Sequence, residues 1–262
     1  MLTDPVLRRS WEPRAGVFIA EGRLVVERLL RSRYPVRSVL VTEHGLAALG
    51  GVLEGTDVTV LLVPAQLARA TTGYEVHRGV LAAARRRELP PLDEVLTGAR
   101  VILVLEDLTD QANLGALFRN AAALGSDAVL LSPRCCDPLY RRSVRVSMGA
   151  VLTVPFTYVA PWPGGLARLR EMGFTTAALT PAPDAEPVDG VAVELADDPA
   201  ARVALVLGSE GPGLSEGALS ASTRRVRIRM EPGTDSLNVA TAAAVALHCI
   251  RSARLSRSSG DH

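Results

Sequence analysis

Apolar and polar segments alternate along residues 16–90 in an order that predicts a small α/β domain. Short apolar runs, expected to be strands, occupy residues 17–20, 36–41, 57–63 and 79–83. Between them, apolar residues recur at helical spacing over residues 21–31 and 44–53, and Pro64 is placed as the first residue of a third helix. Strands that alternate with helices in this way are typical of an α/β domain.

The alternation resumes beyond residues 85–91, where three Arg residues precede a Pro-Pro pair. Strands are predicted at residues 101–105, 127–131, 151–159, 174–179, 202–207 and 226–228, and helices at 113–124, 140–148, 166–172 and from Ser236 onward. Residues 101–105 are all apolar, which indicates a strand covered on both faces, as in a parallel sheet. Residues 181–199 are rich in Pro and Asp and are predicted to form a surface loop.

These patterns divide the chain into four segments. Residues 1–88 are predicted to form the smaller α/β domain, and residues 89–97 a linker. Residues 98–255 are predicted to form a larger α/β domain, and residues 256–262 a flexible tail.

Composition restricts the class of protein. A hydrophobic content of 48% and a charged content of 22% are typical of a soluble globular chain. The chain shows no signal peptide and no apolar run long enough to span a bilayer, so a cytoplasmic location is expected. The three Cys residues form no pattern typical of disulfides or metal ligands, which favours reduced thiols and no metal site.

The basic residues are all Arg, and they outnumber acidic residues before residue 90 but not after it. Arg is well suited to bidentate phosphate contacts and to stacking on bases. The run at residues 85–87 is consistent with RNA contact or with a solvated linker. A second basic group, Arg141, Arg142 and Arg145, lies on a predicted helix.

Three loops follow predicted apolar strands, at residues 106–115, 207–214 and 229–238. Ligands in open α/β sheets bind beyond the carboxyl ends of the strands. The second loop is rich in Gly but matches neither the phosphate-binding nor the dinucleotide-binding fingerprint. In the third loop, Ser236 is a good candidate for the N-cap of the last helix. The pattern therefore predicts a ligand site without identifying the ligand.

Arg119 is conspicuous because it lies on an otherwise apolar helix. It follows Asn113 on the same predicted helix, and the two side chains project about 240° apart at about 100° per residue. Arg119 is either a functional residue or half of a structural ion pair with a carboxylate, for which Glu210 is the candidate.

Three segments together resemble the ordered motifs of a known enzyme family. NLGALFRNAAALG at residues 113–125, LVLGSEGPGLS at 205–215 and IRMEPGTDSLNVATAAA at 228–244 are similar to those of the SpoU, or TrmH-like, family of SPOUT RNA 2′-O-methyltransferases. The first domain, with FIAEG and HRGVLA, more loosely resembles a ribosomal-protein-like substrate-binding domain. The resemblance implies a mostly parallel sheet with a C-terminal trefoil knot, S-adenosylmethionine as cofactor and a homodimer.

The resemblance also implies roles for individual residues. The expected catalytic residues are Asn113, Arg119, Glu210, Ser236 and Asn238. The expected cofactor-binding residues are Leu207, Gly208, Gly211, Ile228, Met230 and Leu237, and RNA binding is expected of Arg141, Arg142 and Arg145. One departure is the presence of Arg229 where the family usually has Pro between Ile and Met, which removes a rigid residue from this loop.

The implied reaction is methyl transfer to a ribose 2′-hydroxyl of RNA, with ribosomal RNA favoured over transfer RNA because of the extra domain. Arg keeps its proton, so Arg119 is expected to orient the hydroxyl and stabilise charge instead of acting as a base. Two further alternatives are a non-catalytic RNA-binding or ribosome-assembly protein on the same fold and a base methyltransferase on a related fold.

Overall fold

The computed structural model describes residues 11–73, 76–231 and 233–258. The chain divides into two compact units. The first ends at Glu88 and also takes in Asp137–Thr153; the second begins at Leu89 and resumes at Val154 after that segment. The predicted larger domain was continuous, whereas the structure assigns its residues 137–153 to the first unit because they pack there, on its first strand.

The first unit contains a four-stranded mixed sheet. Its strands are β1 (Val17–Glu21), β2 (Val36–Val41), β3 (Thr59–Leu62) and β4 (Val80–Arg85), in the order β1-β4-β2-β3. Strand β4 is antiparallel to β1 and β2, and β2 is parallel to β3. The helices are α1 (Arg23–Leu30), α2 (Glu43–Leu53) and α3 (Ala65–Thr72), and Pro64 is the N-cap of α3 and not its first residue. A later helix, α6 (Arg141–Val146), packs against β1.

The second unit contains a seven-stranded sheet in which all neighbouring strands are parallel. The strands are β5 (Val101–Leu105), β6 (Ala128–Leu131), β7 (Phe156–Tyr158), β8 (Phe174–Leu179), β9 (Glu186–Pro187), β10 (Arg202–Leu207) and β11 (Arg224–Arg227). Their order is β7-β6-β5-β10-β8-β11-β9. The predicted α/β class and mostly parallel sheet are confirmed.

The helices of the second unit cover this sheet. They are α4 (Leu92–Val95), α5 (Gln111–Leu124), α7 (Gly165–Glu171), α8 (Val188–Asp197), α9 (Glu216–Ala221) and α10 (Val239–Ser258), and α10 packs against α5 and α8. All five residues of β5 are buried, as expected for a strand covered on both faces. Helix α5 begins after its N-cap Asp110, whose side chain accepts a hydrogen bond from Asn113 N, and ends at Gly125 in the left-handed conformation.

Four predicted segments are wrong. The strand predicted at residues 151–159 is limited to Phe156–Tyr158, because Ala150–Leu152 form a short 3-10 helix. Residues 89–97 are not a linker, because Val95 and Leu96 are buried in the core of the second unit. Residues 181–199 are not a loop: α8 forms there because Val188, Val191 and Ala192 supply a buried stripe at helical spacing. The tail does not begin at residue 256, since α10 continues to Ser258, and residues 259–262 lie outside the described residues.

Among the described residues, no helix is both long enough and apolar enough to cross a bilayer.

Candidate active site

A cavity of about 370 Å³ lies in the second unit at the carboxyl ends of β8 and β10. Three segments line it: residues 179–181 after β8, residues 207–213 after β10, and residues from 228 to 242 that lead from β11 into α10. Parallel strands place their carboxyl ends at one edge of the sheet, which is where ligands of such folds bind.

The predicted cofactor-binding residues meet in this cavity. All six line it, namely Leu207, Gly208, Gly211, Ile228, Met230 and Leu237. They come from two segments that are separate in sequence. The structure therefore brings the predicted residues together, while their contact with a cofactor stays a prediction.

Two Gly residues allow the loop after β10 to fold tightly, one because there is no room for a side chain and the other because of its backbone conformation. A Cβ at Gly208 would lie 2.2 Å from the backbone carbonyl carbon and oxygen of Gly213. The loop is closed by a hydrogen bond of 3.1 Å from Gly213 N to Ser209 O. Gly213 has φ of +71°, in the left-handed region that favours Gly. This turn exposes backbone at the cavity wall, where a ligand can approach closely.

Asn238 connects the three predicted catalytic loops. Its Nδ2 donates to Asn113 Oδ1 at 3.0 Å and to Glu210 Oε1 at 2.5 Å. Its Oδ1 accepts from the backbone N of Ala240 at 3.0 Å and of Thr241 at 3.3 Å. Because the two backbone donors fix the carbonyl oxygen of the amide, the amide nitrogen must face Asn113 and Glu210.

Asn238 is therefore the N-cap of α10, and the prediction of Ser236 for that position is wrong. The helix begins at Val239, so Ser236 lies too early to reach its first turn. Ser236 instead lines the cavity, with Glu210 and Asn238.

Replacing Asn238 with Ala is expected to lower the free energy of unfolding by about 1 kcal/mol, because the cap of α10 is lost. Thermal or urea unfolding measures this change. Asn238→Ser is the matched control, since its hydroxyl keeps an oxygen for the cap but is too short to donate to Glu210. We expect it to retain more stability than Ala while losing the link between the loops. Equal losses in both variants would contradict the capping role.

Arg119 is exposed and forms no hydrogen bond or ion pair with any described residue. The ion-pair alternative is thus not supported, since Glu210 accepts a hydrogen bond from Asn238 instead. Asn120, the next residue, donates from Nδ2 to Ala240 O at 2.7 Å and fixes α5 against the start of α10. Arg119 is not among the residues that line the cavity, and its predicted role toward the substrate stays a prediction.

Residues 100–248 match the family model described as the SpoU rRNA Methylase family. The chain belongs to this SpoU family. The matched residues include the three loops and nearly all of the second unit's sheet. The predicted family and the predicted RNA methyltransferase activity are confirmed.

Relatives of this SpoU-family chain are named as methyltransferases. An uncharacterized tRNA/rRNA methyltransferase of Mycobacterium bovis is 47% identical over 237 residues, which cover 89% of this chain and 80% of the relative. The 23S rRNA (guanosine-2′-O-)-methyltransferase RlmB of Bordetella pertussis is 35% identical over 188 residues, covering 70% and 71%.

Solved structures share the fold. The SpoU methyltransferase AviRb from Streptomyces viridochromogenes, in complex with AdoMet, superposes with a TM-score of 0.81 at 21% identity and covers 97% of this chain and 96% of its own. A structure described as an RNA 2′-O ribose methyltransferase has a TM-score of 0.75 at 28% identity, covering 97% and 93%.

The sequence interpretation missed Glu106 in this SpoU-family site. Its side chain is 2% exposed and follows the last residue of β5. It accepts hydrogen bonds from Trp162 Nε1 at 2.5 Å, Ser215 N at 2.8 Å and Ser215 Oγ at 2.6 Å. A carboxylate directly after a fully apolar strand was the available signal, because such a position is buried.

The neighbouring Asp107 has φ of +55°, an uncommon conformation for a residue other than Gly. Ser132 Oγ donates to its Oδ1 at 2.9 Å, and Arg134 forms an ion pair with it. The hydrogen bond from Arg134 holds the pKa of Asp107 below its usual value, against the opposing effect of burial. Burial raises the pKa of the Cys135 thiol close by, which keeps that thiol protonated and unreactive.

The predicted RNA-binding residues lie in the first unit, not in the second. Arg141 and Arg145 place Nη1 at 3.4 Å and 3.6 Å from Oε2 of Glu21, whose side chain is 1% exposed. Glu21 also accepts from His77 N at 3.2 Å. Arg142 is exposed. Two of the three cations are therefore partly neutralised by a buried carboxylate, and RNA binding by this helix stays a prediction.

Arg229, which departs from the family pattern, places Nη2 at 3.5 Å from Asp189 Oδ2 at the start of α8. Both side chains are more than half exposed, so this ion pair is expected to contribute little to stability.

Among the described residues, no group of three or more His, Cys, Asp or Glu side chains is arranged to hold a metal ion.

Proposed function

We propose that this RNA methyltransferase uses S-adenosylmethionine to methylate a ribose 2′-hydroxyl. The observation that carries the proposal is the hydrogen-bonded group Asn113, Asn238 and Glu210, which joins all three family motifs beside one cavity. The AdoMet in AviRb and the 2′-O specificity in the name of RlmB support the choice of donor and acceptor.

The cavity fits a cofactor of this kind. Its volume of about 370 Å³ lies within the usual range for small-molecule sites. Its wall combines Gly backbone with apolar side chains such as Ile228 and Leu237, and none of the described Arg residues lines it. A wall that carries the Glu210 carboxylate suits a cationic ligand without phosphates better than a nucleotide phosphate. When bound, the sulfonium supplies a methyl group that is already activated for transfer.

The residues of the chain then have to hold and polarise the acceptor hydroxyl. Alignment alone can supply about 7 kcal/mol or more of a reaction barrier. In the proposed arrangement Arg119 orients the hydroxyl and stabilises developing negative charge, since it cannot accept a proton. Asn113, Glu210, Ser236 and Asn238 shape the pocket and form hydrogen bonds to the nucleotide.

A homodimer completes the proposal, because Arg119 is exposed and lies outside the cavity of its own chain. Mixing two inactive variants tests whether it acts across subunits. Arg119→Ala retains an intact cavity, and Gly208→Ala retains an intact Arg119. If Arg119 serves the partner's cavity, mixed dimers contain one complete site and activity returns on mixing. A mixture that remains inactive, although native mass spectrometry shows mixed dimers, would place Arg119 in the site of its own chain.

The family resemblance further suggests a trefoil knot at the C-terminus and a cytoplasmic location; both remain proposals. Ribosomal RNA is favoured as the substrate, with transfer RNA as the alternative that the name of the Mycobacterium bovis relative leaves open.

RNA docking through the first unit is tested by the salt dependence of binding. Arg142→Ala is expected to weaken RNA binding and to reduce the slope of log K against log salt by about 0.7 to 0.9, the amount for one phosphate contact. Filter binding at several salt concentrations measures this slope. Arg142→Lys keeps the charge and serves as the control. An unchanged slope in the Ala variant would exclude Arg142 from phosphate contact.

The function itself is tested by incubating the protein with total RNA and methyl-labelled S-adenosylmethionine. The product is then mapped by mass spectrometry. A methyl group on a ribose supports the proposal, and one on a base indicates a base methyltransferase. If calorimetry detects no binding of S-adenosylmethionine, the alternative of a non-catalytic RNA-binding protein is favoured.

A further inference from the structure

Glu106 contacts both ends of the loop that forms one wall of the cavity. Its backbone N donates to Leu207 O at 2.8 Å, where the loop begins. Its side chain accepts from the backbone N and Oγ of Ser215 at 2.8 Å and 2.6 Å, directly after the loop ends. Glu106, the residue directly after β5, thus sets the distance that the loop at residues 208–214 must span.

The buried carboxylate of Glu106 is stabilised by hydrogen bonds to the segment that follows the loop. A buried carboxylate is unfavourable unless hydrogen bonds replace its water. Glu106 is 2% exposed and forms no ion pair with any described residue. It relies instead on three donors, two from Ser215 and one from Trp162 Nε1. Ser215 is also the N-cap of α9, so the carboxylate faces the positive end of that helix.

The loop held in this way carries the groups that meet the ligand. Gly208 and Gly211 present backbone to the cavity, and Glu210 reaches Asn238 on the opposite wall. If the end at Ser215 moved, the turn around Gly208 and Gly213 would open, because their backbones touch. Glu106 is not among the residues that line the cavity, so it holds the loop in position from outside the cavity.

We propose that Glu106 is a positioning residue that clamps the cofactor loop and thereby sets the affinity for S-adenosylmethionine. This inference rests on the proposed function of the cavity. It assigns Glu106 no contact with the cofactor or the RNA. Its effect is on binding of the cofactor, and not on the rate of methyl transfer once the cofactor is bound.

Glu106→Gln tests the clamp with a side chain of the same size. A Gln amide has one acceptor oxygen, and its NH₂ must face at least one of the donors on Ser215 or Trp162. We expect the dissociation constant for S-adenosylmethionine, measured by calorimetry, to rise about tenfold because a buried donor is left unpaired. The KM for the cofactor should rise in parallel, with kcat at saturating cofactor within about threefold of the wild type.

Trp162→Phe is the matched control, because it removes one donor to Glu106 but leaves both ends of the loop attached. Its dissociation constant should stay within about twofold of the wild type, as expected if Ser215 carries the clamp. If Glu106→Gln fails to fold, Ser215→Ala replaces it, since it removes the Oγ donor and keeps the backbone donor. We expect an increase of about threefold in the dissociation constant for that variant.

The outcomes separate the inference from the proposed function. If the wild-type protein does not bind S-adenosylmethionine, the proposed function is wrong. If the wild type binds and Glu106→Gln, or in its place Ser215→Ala, binds equally well, the clamp is wrong. A fall in kcat without a change in the dissociation constant would also overturn it.

Discussion

Substituting Arg119 by Ala is expected to lower kcat by about 100- to 1,000-fold at saturating RNA and S-adenosylmethionine, as for removal of other groups that stabilise developing charge. The side chain is exposed, outside the cavity and without an ion-pair partner among the described residues. It is therefore available for RNA, and its loss should leave the fold and cofactor affinity unchanged. Steady-state methylation assays at saturating substrates measure kcat, and calorimetry measures the affinity for S-adenosylmethionine.

Two variants control this experiment. Arg119→Lys keeps the charge but not the bidentate geometry, so we expect an intermediate rate. Arg170→Ala removes another exposed Arg of the second unit, on α7, and should retain normal turnover. Near-normal turnover of Arg119→Ala with saturating RNA would show that this residue has no catalytic role.

Gly208→Ala is expected to reduce affinity for S-adenosylmethionine by about 100-fold or more, because overpacking against backbone cannot be relieved by a rotamer change. The added Cβ would lie 2.2 Å from backbone atoms of Gly213 and 2.3 Å from Leu214 N. The loop after β10 would have to open, and the cavity wall would move with it. Calorimetry measures the loss of binding.

Gly190→Ala provides the control for an added methyl group. Gly190 lies within α8 and has an ordinary φ, and a Cβ added there would meet no atom within 4 Å, so Ala should be neutral or slightly stabilising. Gly211→Ala introduces backbone strain without a steric clash, since Gly211 has φ of +88° but open space around it. It should weaken binding less than Gly208→Ala does. Normal affinity of Gly208→Ala would mean that this turn does not shape the cofactor site.

Strands with strong local patterns were predicted to the residue. The bounds of β2, β5, β8 and β10 agree with the segments predicted from the sequence, and each of these strands ends directly before a polar residue or Gly. Helix α8 was missed because Pro and Asp dominate the composition around it. Its buried stripe matters only once α10 lies against it.

In the candidate site, too, some features were predicted from the sequence and others were not. The cofactor-binding residues were predicted from motifs and do line one cavity. The capping role was assigned to Ser236 because Ser is a good capping residue and stands directly before the predicted helix. The true start of α10 is set by Asn238, which also has to reach Asn113 and Glu210. Helix-capping propensity, which depends on neighbouring residues alone, does not reveal these two contacts.

The basic helix α6 is a further example. Its Arg residues were predicted as an RNA surface of the larger domain. The structure pairs Arg141 and Arg145 with Glu21, more than a hundred residues earlier in the chain. A charge run in a sequence does not reveal which carboxylate lies beneath it, because ion pairs depend on distance in space.

By itself, the sequence determined the family, the α/β class and nine of the residues around the cavity, because these depend on short motifs and on local periodicity; it did not identify the segment after β8 that also lines the cavity. Only the tertiary structure decided that Asn238 caps α10, that Glu106 contacts both ends of the loop at residues 208–214, and that Arg119 stays outside the cavity of its own chain. The hydrogen bonds that join Asn238 to Asn113 and Glu210, and Glu106 to Ser215, connect residues far apart in sequence, and they form only when the sheet brings the loops together.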